Sequence, residues 1–243
     1  MNEQARLRYA GILGVTAPLC LVAMLLLRPF PFPDNNVEGR VYLAYMLPFH
    51  AAEWQVVLSL LAFGSGMLIV LLLALVYIER AQRITFSALV MIATSIGQFT
   101  MQALALATFI GIALLGRGYP AFGSHPADYM LITLLWNASN LVWTMSAAFP
   151  AMTWLAIASA NRNHQVLPKL LGGALATTVG VINFASIAAL FVPAGRWSPA
   201  GPYHFLLQSG TIWLWILATS LWLIWRGHRS ARGRPGLAAQ LNP

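Results

Sequence analysis

The sequence predicts an all-α membrane protein, a bundle of six transmembrane helices with both termini on the cytoplasmic side. Composition, the length of the apolar stretches and the placement of basic residues carry that prediction. Of 243 residues, 59% are hydrophobic and 8% are charged, where a soluble domain is about 25% charged. Bilayer, not water, is the solvent such a chain suits. About 20 apolar residues cross the hydrocarbon once as a helix, and stretches of that length or more fall at 9–27, 52–78, 85–115, 128–159, 169–193 and 205–225. Residues 1–225 therefore read as one six-helix domain and 226–243 as a basic tail.

The first stretch follows Arg6 and Arg8, as a secretory signal would, but it is longer than a usual signal core. It ends at Arg28-Pro29 without a small-x-small cleavage pattern. It is expected to stay in the protein as a helix. The third and fourth stretches run just past 30 residues, so they must tilt, kink or project. Pro150 gives the fourth a kink site by removing a backbone donor. Short polar turns at 79–85 and 161–168 tie neighbouring helices into hairpins. The segments 28–48, 116–127 and 193–203 are longer and rich in Pro, Gly and aromatic residues.

Direction follows from the basic residues. With the N-terminus inside, Arg6, Arg8, Arg80, Arg83, Arg162, Lys169, Arg226, Arg229, Arg232 and Arg234 are cytoplasmic, against Arg28, Arg40, Arg117 and Arg196 outside. Ten against four satisfies the positive-inside rule. The formal charge of +8 is thus mostly a topology signal. No nucleic-acid partner is expected, because no aromatic interleaving accompanies the basic tail. The tail RGHRSARGRPG suits anionic lipid headgroups. Cys20 is the single cysteine, which leaves no partner for an internal disulfide and no cysteine framework for zinc or an iron–sulfur cluster.

No Asp, Glu, Lys or Arg lies deep in a span, which argues against proton-coupled transport, pumping and voltage sensing. Neutral amides are there instead: Gln98 and Gln102 on the third span, Asn137 and Asn140 with Thr144 on the fourth, Asn183 on the fifth and Gln208 on the sixth. Spacings of three and four place each set on one helical face. Such groups either join helices or line a cavity, because lipid offers no hydrogen-bond partner. Gln102, Asn137, Asn140, Asn183 and Gln208 fall in the outer half or near the midplane, so one outward-opening cavity among them is the ligand site to look for.

Titratable residues gather at the predicted outer helix ends: His50 and Glu53, His125 and Asp128, and His204. Imidazole and carboxylate are ordinary ligands for Zn, Fe or Cu. The same residues equally serve as helix-end structure, where Glu53 and Asp128 suit the positive end of the helix dipole. Their His-x-x-acid order is the reverse of the Glu-x-x-His of di-iron bundles. No span carries a central His for bis-His haem. No Walker loop, dinucleotide fingerprint, nucleophile elbow or HExxH occurs, so no cofactor is predicted from motifs.

Three stretches, LRYAGILGV at 7–15, VLPKLLGGALA at 166–176 and WLWILATSLWLIWRG at 213–227, together resemble an uncharacterised six-helix bacterial membrane family. The resemblance implies a six-helix bundle in a bacterial cytoplasmic membrane and no particular activity. It does not reach His50, Glu53, His125 or Asp128. The sequence therefore favours a non-enzymatic bundle with an accessory, sensory or lipophilic-ligand-binding role, partnered by lipid, a lipophilic ligand or another membrane protein. The alternative is a metal-dependent enzyme at the outer face, acting on a lipid or quinone-like substrate. Reporter fusions after Arg83, Asn163 and the C-terminus are expected to report cytoplasm, and a periplasmic signal at any of the three means a miscounted span.

Overall fold

The computed structural model describes residues 3–27, 33–34, 38–46, 51–119 and 121–232. Among these the secondary structure is entirely helical. Six segments are long and apolar enough to span a bilayer: Arg6–Ala23, Trp54–Ala81, Phe86–Gly118, Pro126–His164, Lys169–Phe191 and Pro202–Gly227. The chain is a multi-pass membrane protein. Helix is the form expected there, because it satisfies backbone N–H and C=O groups within one segment.

The spans follow one another around a ring. α1 (Glu3–Leu27) packs on α3 (Ala51–Ala81) and α9 (Thr211–Arg232), and α3 packs on α4 (Phe86–Gly118). α4 meets both α5 (Pro126–Met145) and α6 (Ala148–His164), the two halves of the fourth span. α6 packs on α7 (Ala176–Ser186), which closes the ring against α9. The interior is apolar and aromatic, with Phe63, Trp154, Trp213, Trp215 and Ile216 buried together. α1 approaches α9 where small residues allow it. A Cβ at Gly14 would lie 1.9 Å from Ser220 Oγ and 2.7 Å from Ile69 Cδ1, so only glycine lets the two backbones sit this close.

Three spans depart from regular α-helix. The fourth turns at Ser146–Ala147 and resumes as α6 with Pro150 in its first turn, where a missing N–H breaks no helical bond. The fifth starts as a π-helical stretch, Lys169–Leu175, and ends as a 3₁₀ turn, Ile187–Phe191. The sixth opens with the short α8 (Pro202–Phe205) and a second π-helical stretch, Leu206–Gly210, before α9. π-Helix is rare in proteins. Both stretches carry or meet interhelical hydrogen bonds: Trp215 Nε1 donates to the Leu171 carbonyl at 2.8 Å, and Gln208 Nε2 to that of Trp143 at 3.0 Å.

At the end of the bundle holding the N-terminus, here the proximal end, the turn after α6 is internally bonded. Asn161 is buried. Its Oδ1 accepts from Tyr77 Oη at 2.9 Å and from Leu167 N at 2.8 Å, and its Nδ2 donates to Leu167 O at 3.1 Å. One amide thus joins the second span to the turn between the fourth and fifth. Arg226 ties the sixth span to the same turn by donating to Val166 O at 2.9 Å, while its guanidinium lies over the Trp222 ring. Arg6 pairs with Glu79 beside them. The turn is therefore a buried joint, where the sequence suggested a plain polar connection.

Asn161→Ala leaves the Tyr77 hydroxyl and both Leu167 backbone groups without their partner. It is expected to lower stability by about 2 kcal/mol or more, well above the roughly 0.6 kcal/mol of an average interhelical bond. Tyr77→Phe removes a single bond and is expected to cost a fraction of that. Thermal unfolding in detergent checks the order of the two variants.

Candidate functional site

The opposite, distal end is built by a segment the sequence suggested was loop. Gly39–Met46 forms the eight-residue helix α2, with Tyr42 and Leu43 buried and Arg40 and Val41 exposed. α2 lies on α5 with its start pressed against Tyr129, where a Cβ at Gly39 would stand 2.1 Å from the Tyr129 carbonyl oxygen. Tyr42 stacks on Trp136 with ring centroids 4.6 Å apart, and Phe109 and Tyr45 meet the same indole edge-on. These rings form a second core separate from the bundle interior.

Asp34 anchors this layer. Its backbone carbonyl accepts from Tyr42 Oη at 2.7 Å, and its carboxylate accepts from Gly195 N at 2.6 Å and Ser198 Oγ at 2.7 Å. The residues before α2 are thereby joined to the loop between the fifth and sixth spans. At the start of α5, Pro126 occupies the first turn and the Asp128 carboxylate accepts from the amides of Gly123 at 3.0 Å and His125 at 3.3 Å.

Between the start of α2 and the outward face of α5 runs an open groove of ≈690 Å³. Tyr129, Met130, Thr133, Leu134 and Asn137, spaced at three and four, form one wall, and Glu38, Gly39 and Arg40 the other. Met130 and Leu134 are 75% and 64% exposed, so the wall is an uncovered apolar stripe. Arg40 Nε donates to Glu38 Oε2 at 2.5 Å across the charged side. That bonded carboxylate raises the guanidinium pKa above its ordinary value, and Arg40 stays charged at every physiological pH. The groove therefore offers an apolar floor and a rim bearing one positive and one negative group.

The amides expected to share one outer cavity do not do so. Asn137 lines the groove, whereas Gln102, buried at the centre of α4, lines a different and much smaller cavity among the bundle helices. Asn140 Nδ2 donates to the Trp136 carbonyl of its own helix at 2.9 Å. Asn183, fully buried on α7, donates to Val179 O at 2.9 Å and to Thr211 Oγ1 at 3.3 Å, which joins the fifth and sixth spans. Gln208 joins the sixth span to the fourth through Trp143. Asn183 and Gln208 hold helices together, although each keeps a buried carbonyl oxygen without a partner. Residues on faces of different helices share a void only if those faces turn toward one another. Sequence spacing fixes each face and not the rotation between helices.

Of the proposed metal ligands, His50 and the Glu53 side chain lie outside the described residues. His125 is exposed at the start of α5, and the Asp128 carboxylate is engaged by the two amides that cap the helix. His204 is buried on α8, with Nδ1 3.1 Å from the Pro199 carbonyl oxygen and Nε2 without a partner. Among the described residues no three His, Cys, Asp or Glu side chains come together as a ligand set.

Sequence reasoning missed Asp34, the groove wall on α5 apart from Asn137, and the buried indoles Trp154 and Trp213. α2 was missed because eight residues, GRVYLAYM, are too few for a periodic signal. Trp154 and Trp213 were missed because nothing in the sequence of an apolar span separates a core indole from a lipid-facing one. No protein-family model, curated protein or solved structure matches the chain.

Proposed function

We propose that the chain is a non-enzymatic, amphiphile-binding bundle of a bacterial cytoplasmic membrane, with its distal groove open to the outer leaflet. The outward direction rests on the ten-to-four placement of basic residues, and the bacterial membrane on the family resemblance. The groove between α2 and α5 carries the reading, because it joins an apolar stripe to a charged rim at one end of the bundle.

Its volume falls within the roughly 300–1,000 Å³ of small-molecule sites. An acyl or isoprenoid chain lying along Met130 and Leu134 exchanges lipid contacts for packing on an apolar wall, so preference for one molecule over bulk lipid comes from fit and from the polar rim. An exposed Arg–Glu pair contributes little to folding, whereas at a leaflet surface Arg40 attracts a phosphate and Glu38 an ammonium. A zwitterionic or anionic lipid, or a lipophilic molecule with a polar head, has the matching shape and charge. No observation favours the metal-dependent enzyme over this reading.

Protein extracted from nanodiscs of phosphatidylethanolamine and phosphatidylglycerol is expected to retain one amphiphile in native mass spectrometry. Leu134→Gln, which roughens the apolar wall, is expected to weaken retention about tenfold, or about 1.4 kcal/mol, with helix content unchanged. Equal retention by variant and wild type would place any bound lipid elsewhere on the bundle.

A further inference from the structure

Among α3, α4, α6 and α9 lies a partly enclosed cavity of ≈20 Å³. Three polar atoms of residues lining it have no hydrogen-bond partner: Gln102 Oε1 on α4, Trp154 Nε1 on α6 and Trp213 Nε1 on α9. Their residues are 3%, 2% and 5% exposed, so neither solvent nor headgroups reach these atoms. Ser95, on the same cavity, donates its hydroxyl to Ile92 O at 3.1 Å and retains its oxygen lone pairs. The half-buried Gln98 adds a second amide to the lining, and the rest is aromatic and aliphatic, with Phe63, Phe99 and Ile216 prominent and no charged residue.

We infer that this cavity is a binding site for one ordered water, held by the Trp154 and Trp213 indoles as donors and the Gln102 carbonyl as acceptor. A water needs about 10–15 Å³ and two to four polar partners; the cavity has the volume, and the three unpartnered atoms belong to residues of its lining. The donor count fits as well: an indole N–H can only donate and an amide oxygen can only accept. A molecule placed among the three must therefore accept twice and donate at least once. Water does so with two lone pairs and one O–H, and its second O–H is left for the Ser95 oxygen.

A metal cation finds two opposing N–H dipoles there and only neutral oxygens, with no negative charge to compensate its own. An anion finds no compensating charge, and burying an isolated charge at this depth is prohibitive. A larger neutral ligand exceeds the volume. Three buried polar atoms left unmet are costlier than immobilising one water. The bound water links α4, α6 and α9, which share no direct side-chain hydrogen bond at this cavity among the described residues.

The test uses the whole protein labelled with ¹⁵N at its indoles, in micelles, with Trp154→Phe and Trp213→Phe assigning the two resonances. Both indole N–H signals are expected to show magnetisation transfer from bound water, and Gln102→Leu is expected to shift both together. Trp213→Phe and Gln102→Leu should each lower the melting temperature by roughly 3 °C. The double variant should fall little further than either, because each change breaks the same bridge. No transfer from water at either indole overturns the inference, as does transfer at one indole only or transfer from lipid or detergent protons instead. A rise in melting temperature for Trp213→Phe, the result expected on deleting an unmet donor, overturns it too.

Discussion

Hydrocarbon offers no hydrogen bond, and the arrangement of this chain follows from where each polar atom finds one instead. The backbone is satisfied within the helices. Hydroxyls in the spans turn back onto their own helix, as Thr94, Thr153 and Ser220 do toward carbonyls one turn earlier. Thr94 and Thr153 also lie 2.6 Å from each other, and since each hydroxyl has one hydrogen, one of the two donates across from α4 to α6 in place of its own-helix bond. Amides, with more capacity than one helix turn can absorb, reach across: Asn161 to Tyr77 and Leu167, Asn183 to Thr211, Gln208 to Trp143. Departures from α-helix occur beside such bonds, since the π-helical stretches at 169–175 and 206–210 include Leu171 and Gln208.

The two ends of the bundle answer the constraint differently. At the proximal end Asn161 and Arg226 tie the second and sixth spans to the turn between the fourth and fifth, and the Arg6–Glu79 pair ties the first span to the second. At the distal end a single carboxylate, Asp34, binds loop to loop, and stacked rings hold a short helix on α5. The distal layer covers only part of α5. The stripe from Met130 to Asn137 is left open beside the Arg40–Glu38 pair.

The fold was legible because its signals are long. Six apolar runs cannot be hidden by local detail, and Pro150 announced an interruption of the fourth span that the structure has at Ser146–Ala147. The site was legible only in part. The amides Gln102, Asn183 and Gln208 were recognised as inward-facing, and they are buried. Their separation into different voids and helix contacts depends on how each helix is rotated, which three- and four-residue spacing leaves open. Asp128 carried two readings from its position at a helix start, and the structure gives it the capping bonds. α2, Asp34 and the pairing of Trp154 with Trp213 around one cavity depend on contacts between distant segments, for which the sequence has no periodic signal.

In the distal groove an apolar floor and a charged rim lie side by side, with Met130 and Leu134 left exposed among the described residues. An electron cryo-microscopy structure of the protein in a lipid nanodisc tests most directly whether this groove holds an amphiphile. One elongated density is expected along Met130 and Leu134, with a polar end at Arg40 and Glu38 that is better ordered than the surrounding annular lipid. A groove closed by the protein's own side chains, or filled only by lipid as poorly ordered as the rest of the annulus, would contradict amphiphile binding there.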